Sequence, residues 1–223
     1  MDDFWPTLWL TLRLATLTTA LLLVVGVPLA YALAFRRFPL RPVLAAVVSL
    51  PLVLPPTVLG FYLLLAFSPA HVPGRWLLDW FGVSVNFTFA GILIGSVLYS
   101  LPFMVQPVQA AFDSFPRSMI EASHTLGKSH WQTLRHVILP NIRPALLSGI
   151  VLSFAHTIGE FGVILMIGGN IPGETRVASI AIYDKVEDLK YAAANRYALV
   201  LLLISFALLL VLNRFAKNKL FAR

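Results

Sequence analysis

The chain has 223 residues, of which 58% are apolar and only 12% charged, against about 25% charged in an average soluble domain. Its mean hydropathy of +0.82 means more apolar surface than one soluble core of this size can bury, and it excludes intrinsic disorder, which needs low hydrophobicity and high charge. Cysteine is absent, so disulfides, a thiol nucleophile and thiolate metal sites are excluded too.

A membrane span needs ~20 mostly apolar residues. Five stretches qualify in chain order: 8–35, 43–67, 87–112, 144–167 and 197–215. The expected fold is all-α, a polytopic membrane helix bundle of about five transmembrane helices, with residues 1–223 as a single domain. The first run follows the acidic start Met1-Asp2-Asp3. It lacks the basic leader of a signal peptide and reads as a retained helix. Residues 14–31 read as a peripheral helix. Trp5, Trp9, Trp76 and Trp80 fall where amphipathic rings anchor the outer interface.

The second stretch holds Pro51, Pro55 and Pro56, and the third holds Pro102 and Pro107. Each proline removes a backbone donor, so both spans are expected to bend or break. Broken backbone survives in a membrane only where protein or water satisfies it. Transporters place pathways and gates there, and simple packing kinks are the other reading.

The net charge of +7 sits in short clusters between apolar runs. That pattern belongs to loops flanking spans, and no nucleic-acid partner is expected. With the N-terminus outside, eleven of the seventeen Lys and Arg fall on inner segments, the terminal Lys219 and Arg223 among them, and six fall outside. The imbalance favours an outer N-terminus and an inner C-terminus.

The polar stretch 113–143 reads as two short helices. The first starts near Ser114 with Pro116 in its first turn, and Gly127 ends it. Ser129 and Gln132 form a capping box that opens the second, which should stop before Pro140. A helix-turn-helix pair on the inner face suits docking.

Here the chain resembles a family. Glu121-Ala122-Ser123, three residues, Gly127, nine residues, Val137, one residue, then Leu139-Pro140 is similar to the EAA loop of ABC importer permeases. Ser123 stands where the pattern has alanine, and Val137 where it has isoleucine. The resemblance implies an ATPase-coupling loop made by Glu121, Ala122, Ser123, Leu126, Gly127, Val137, Leu139 and Pro140. Segments 50–60, 159–162 and 168–176 resemble permeases of the molybdate type in particular, and sulfate and tungstate permeases share related segments.

The trio Gly127-Lys128-Ser129 ends like a Walker A motif, but position 122, where the motif needs glycine, is Ala. The trio reads as a helix end and a cap. His124, His130 and His136 recur every six residues, which is no helical face, and they read as solvated loop residues with no metal site.

On the fourth span Gly149, Ser153, His156 and Glu160 follow spacings of four, three and four. They stay within about 60° of one another on a helix. Ionisable groups inside a span nearly always face protein or water, so this stripe is a candidate pathway or bundle-interior face, together with Pro51, Pro55 and Pro56. Glu160 reads either as a gate or as a paired interior carboxylate. Arg13, at a similar depth on span one, is its candidate ion-pair partner, with His156 as the alternative. After span four, residues 168–196 read as an outside segment in which Arg176, Lys185 and Lys190 mix with acids. A solvated mixed-charge face or a contact with an anion or a binding protein would both use them.

The resemblance implies the transmembrane subunit of an ATP-driven importer in a bacterial inner membrane. Its partners would be a second permease copy, two cytoplasmic ATPase subunits, an extracytoplasmic oxyanion-binding protein and membrane lipid. No cofactor is expected in this chain, since ATP and Mg would sit on the ATPase, and no catalytic residue is assigned. Two other classes compete. An ion-gradient-driven secondary transporter would use Glu160. An intramembrane enzyme would have to build a site from Ser153, His156 and Glu160, all on one helix.

Overall fold

A computed structural model describes residues 3–217. Every regular element among them is helical. They run α1 (Phe4–Phe35), α2 (Arg41–Ser49), a 3-10 turn (Leu50–Leu52), α3 (Pro56–Ala66), α4 (Val72–Phe81), α5 (Phe89–Asp113) and α6 (Arg117–Thr125). Then come α7 (His130–Thr133), a π segment (Leu134–Ile138), α8 (Leu139–Asn141), α9 (Arg143–Gly159), α10 (Gly162–Gly168), α11 (Ala178–Glu187) and α12 (Tyr191–Lys217). Lys219 and Arg223, which entered the orientation argument, lie outside the described residues.

Three of these helices are long and apolar enough to cross a membrane unaided: α1, α5 and α12 over Tyr191–Arg214. Two bent pairs bring the number to as many as five. Arg41–Leu52 meets Pro56–Ala66 at 114°, and His130–Asn141 meets Arg143–Gly159 at 71°. At ~1.5 Å per residue α1 is ~48 Å long, well beyond a ~30 Å hydrocarbon core.

Burial against another helix gains little over lipid, so close packing and hydrogen bonds must hold such a bundle together. Met104 of α5 shows the packing. It is fully buried and wedged between two glycines. A Cβ on Gly26 of α1 would come 3.0 Å from its Cγ, and one on Gly149 of α9 would come 2.8 Å from its sulfur. Around it, Leu22, Leu33, Val105, Val108, Phe112, Ile138 and Ile142 form the core near the 113–143 loop. At the far end Leu10, Leu14, Ile92, Ile164, Ile167, Val177 and Ile180 form a second core.

Several expectations change here. α1 is not peripheral, because it packs along α5 and α9 and supplies residues to both cores. The third span is not broken, because α5 runs through Pro102 and Pro107 without interruption. The fourth span breaks instead, at Glu160 and Phe161, between α9 and α10. Pro116 caps α6 rather than sitting inside it. The second loop helix does not stop before Pro140, because α8, which holds that proline, continues directly from the π segment.

The stretch after α10 is not simply a solvated loop. Thr175, Val177, Ala178 and Ile180 are buried, and the Ala178 N–H donates to Thr11 Oγ1 at 2.9 Å. Arg176 is held by Asn170 and lies 3.5 Å from Asp184, so it is not a free cation. Lys190 does remain on an exposed surface. It bonds Asp188 and holds that carboxyl below its usual range.

Candidate functional site

The two breaks meet. A Cβ on Gly162 would lie 2.6 Å from Pro56 Cβ, and one on Gly60 would lie 2.7 Å from Met166 Cβ. The short helix α10 therefore lies on α3, with the start of each against the other. Pro55 is the extended residue that caps α3, and Pro51 sits in the 3-10 turn before it. Beside this junction opens a cavity of about 510 Å³, lined by Pro56, Thr57, Tyr99, His156, Glu160 and Phe161, among others.

Glu160 organises the junction. It follows the last residue of α9 in extended conformation and is almost wholly buried. Its Oε1 accepts the Val163 N–H at 2.8 Å, which caps α10. Its backbone carbonyl accepts the Ser179 hydroxyl from α11 at 2.6 Å. Its Oε2 is buried without a hydrogen-bond partner.

Neither expected partner of Glu160 reaches it. The Arg13 guanidinium lies over the Phe89 ring, 4.5 Å from the centroid, and among the described residues it makes no ion pair with Glu160. His156 turns the other way. Its Nδ1 is 2.9 Å from Ser100 Oγ, and its ring stacks on Phe103 at 4.0 Å.

Hydrogen-bond accounting assigns the His156 tautomer. The Thr157 hydroxyl donates to the Ser153 carbonyl at 2.8 Å. In the contact with Thr157, at 3.1 Å, Ser100 must then be the donor, which leaves its oxygen to accept from His156 Nδ1–H. The relay leaves His156 Nε2 without a bonded partner among the described residues.

Only part of the expected stripe is a cavity face. Gly149 is packed on Met104, and the Ser153 hydroxyl is buried without a partner. His156 and Glu160 alone line the cavity. Ser153 Oγ does not line the cavity and makes no hydrogen bond with His156 among the described residues, so the two do not form the nucleophile–base contact of a hydrolase.

Sequence reasoning missed the polar face of α5. Tyr99, Gln106 and Asp113 are seven residues apart, nearly two full helical turns, so they share one side. Tyr99 lines the first cavity. Gln106, Gln109 and Asp113 line a second, of about 300 Å³, together with Ser49. Gln106 donates to Ser49 Oγ at 3.3 Å. The heptad spacing of these polar residues was the available signal.

The loop 113–143 divides the EAA-like motif into two groups. Glu121, Ala122, Leu126 and Gly127 are exposed. Leu126 leaves 79% of its surface free. Gly127 has φ +77° with open space around it, which suits glycine and strains a β-branched residue. Ser123 faces inward and meets Thr133 Oγ1 at 2.9 Å, tying α6 to α7. Val137, Leu139 and Pro140 are half-buried, and they continue the loop into α9. The capping box is complete, with Ser129 N–H donating to Gln132 Oε1 at 3.0 Å and Gln132 N–H to Ser129 Oγ at 3.3 Å. The rings of His124 and His130 touch edge to face at 4.6 Å, whereas His136 bonds the Gln132 carbonyl, so the three do not converge.

Comparison with known proteins gives the following. Residues 26–219 match the family described as binding-protein-dependent transport system inner membrane component. The chain is 50% identical to the molybdenum transport system permease protein of Azotobacter vinelandii, over 91% of this chain and 90% of that one. It is 38% identical to a sulfate transport system permease protein of Escherichia coli K12, over 85% of this chain and 68% of that one. It is 34% identical to the molybdenum transport system permease protein of the same strain, over 83% and 81%. Among solved structures, it superposes on a bacterial ABC transporter involved in alginate import with a TM-score of 0.80 at 18% identity, covering 100% of this chain and 81% of that one. An inward-facing methionine ABC transporter gives 0.70 at 19% identity, covering 95% and 94%. At those identities the likeness concerns fold.

Proposed function

The chain belongs to the family of binding-protein-dependent transport inner membrane components, and from that premise we propose that it is the molybdate-conducting permease subunit of an ATP-driven importer. The observation that carries the cargo is the 50% identity to a molybdenum permease of nearly equal length. A second reading is a sulfate permease, favoured because the Escherichia coli sulfate protein is slightly more similar to this chain than the Escherichia coli molybdenum protein. Against it stands the higher identity to the Azotobacter vinelandii molybdenum protein, 50% against 38%. Tungstate is a tetrahedral dianion of the same kind and stays a competitor for the site.

In this reading two copies of the chain face each other across the surface bearing both cavities. The α5 face of Tyr99, Gln106 and Asp113 lines the path, with His156, Glu160 and the proline break of α2–α3 at its midpoint. Broken helices with satisfied backbone suit such a path. Glu121, Ala122, Leu126 and Gly127 form the exposed patch that seats in a separate cytoplasmic ATPase. Ser123, Val137, Leu139 and Pro140 transmit its movement into α9. ATP and Mg are held by the two ATPase subunits, and an extracytoplasmic binding protein delivers the oxyanion. The chain itself is assigned no reaction, and its relatives are transport permeases.

The test is ATP-dependent uptake of labelled molybdate in cells without their own permease, supplied with this chain and its partner subunits. Uptake should resist excess sulfate, fall with tungstate and be lost in Gly127→Val, a β-branched residue at positive φ, while the variant still reaches the membrane. Sulfate uptake in place of molybdate would move the cargo and keep the class. Uptake indifferent to Gly127→Val and to the ATPase would point to an ion-gradient transporter.

A further inference from the structure

The structure assigns a second, separate ligand to this chain: an anionic phospholipid held between α1 and the 113–143 loop. This rests on the reading of that loop as lying at the inner membrane face. A groove of about 700 Å³ runs along the loop-side half of α1, walled by Leu23, Val27 and Pro28 on one side and by Leu134 and Leu139 on the other. A second groove, of about 420 Å³, continues from it under α6. The two share Tyr31, Arg36 and His130.

The chemistry of the walls names the occupant. One wall is α1, a helix long and apolar enough to span a membrane, which in this reading sets the groove beside the bilayer. The long part is apolar and admits an acyl chain. The shared part carries the cation of Arg36 and the ring of His130, and no Asp or Glu lines either groove. Among the described residues Arg36 makes no ion pair, and it is exposed. A ligand with an acyl chain and a phosphate meets both halves, whereas a purely apolar segment would leave the guanidinium unanswered. Basic pockets beside inner-leaflet helix ends bind anionic head groups for this reason. The seat touches His130 and Trp131 at the start of α7, so occupancy bears on the loop that we assign to ATPase coupling.

The experiment uses the full chain assembled with its ATPase, stripped of lipid and re-equilibrated in mixed micelles. The micelles hold equal phosphatidylglycerol and phosphatidylcholine with the same acyl chains, and retained lipid is counted by mass spectrometry. Wild type should retain phosphatidylglycerol about fivefold over phosphatidylcholine, the worth of one basic contact. Arg36→Ala should abolish the preference. Arg37→Ala, which lines neither groove, should keep it. Val27→Trp, which fills the apolar part, should reduce retention of both lipids. Equal retention by wild type, equal effects of Arg36→Ala and Arg37→Ala, or displacement of the lipid by excess inorganic phosphate would each overturn the assignment. No cargo enters the measurement, so a wrong cargo leaves this result untouched, and failed retention leaves molybdate uptake untouched.

Discussion

The helix α5 and the pair α9–α10 invert the usual relation between proline and helix continuity. α5 carries Pro102 and Pro107 and stays whole. The fourth span has no proline near Glu160, yet it breaks there. A proline removes one donor, and α5 is flanked by α1 and α9, whose packing holds the helix on either side of each gap. At Glu160 the chain finds better partners outside a straight helix. Val163 N–H goes to the Glu160 carboxylate, the Glu160 carbonyl takes the Ser179 hydroxyl, and glycine at 162 lets α10 lie on Pro56. Where the backbone bonds can go decides the break, more than which residue lacks one.

Substitutions can test that contrast. The largest effect belongs to Gly162→Leu, which puts atoms where Pro56 already stands. We expect a loss of about 3 kcal/mol, the upper end of overpacking costs, read as thermal unfolding in detergent. Gly159→Ala adds a Cβ that meets nothing within 4 Å and should be near neutral. Equal losses in the two variants would break the argument.

Next comes the cap. Glu160→Ala should cost about 1–2 kcal/mol and speed hydrogen exchange at Val163, while Glu160→Gln keeps a carbonyl acceptor and most of the protection. If Gln and Ala behave alike, the carboxylate is not acting as a cap. The smallest effect is expected in α5. Pro107→Ala should change stability by less than about 1 kcal/mol, because the neighbouring helices already hold that turn. A gain near the ~3 kcal/mol seen for proline in isolated helices would show that α5 pays for its continuity after all.

The loop shows what local signals carry. Gly127, Ser129 and Gln132 act through neighbours three or four residues away, and the turn at φ +77° and the capping box stand where the spacing puts them. The junction at Glu160 depends on Ser179 and Pro56, far away in the chain, and no local pattern announces them. Arg13 separates two kinds of information. Its depth along α1 follows from counting residues. Its direction around the helix depends on how α1 is rotated against α5, and that rotation sets it on Phe89 instead of Glu160. The polar face of α5 is visible as a heptad once α5 is known to be unbroken, and the two prolines argue against that premise.

The Met104 wedge has a consequence for biogenesis. The chain is made N-terminus first, so Gly26 is already in place when Met104 enters the bilayer, but Gly149 follows 45 residues later. At ~5–20 residues per second that is a wait of ~2–9 s. During it α1 and α5 can pair while one flank of the methionine stays open to lipid, and the whole 113–143 loop must be synthesised before α9 arrives to close it.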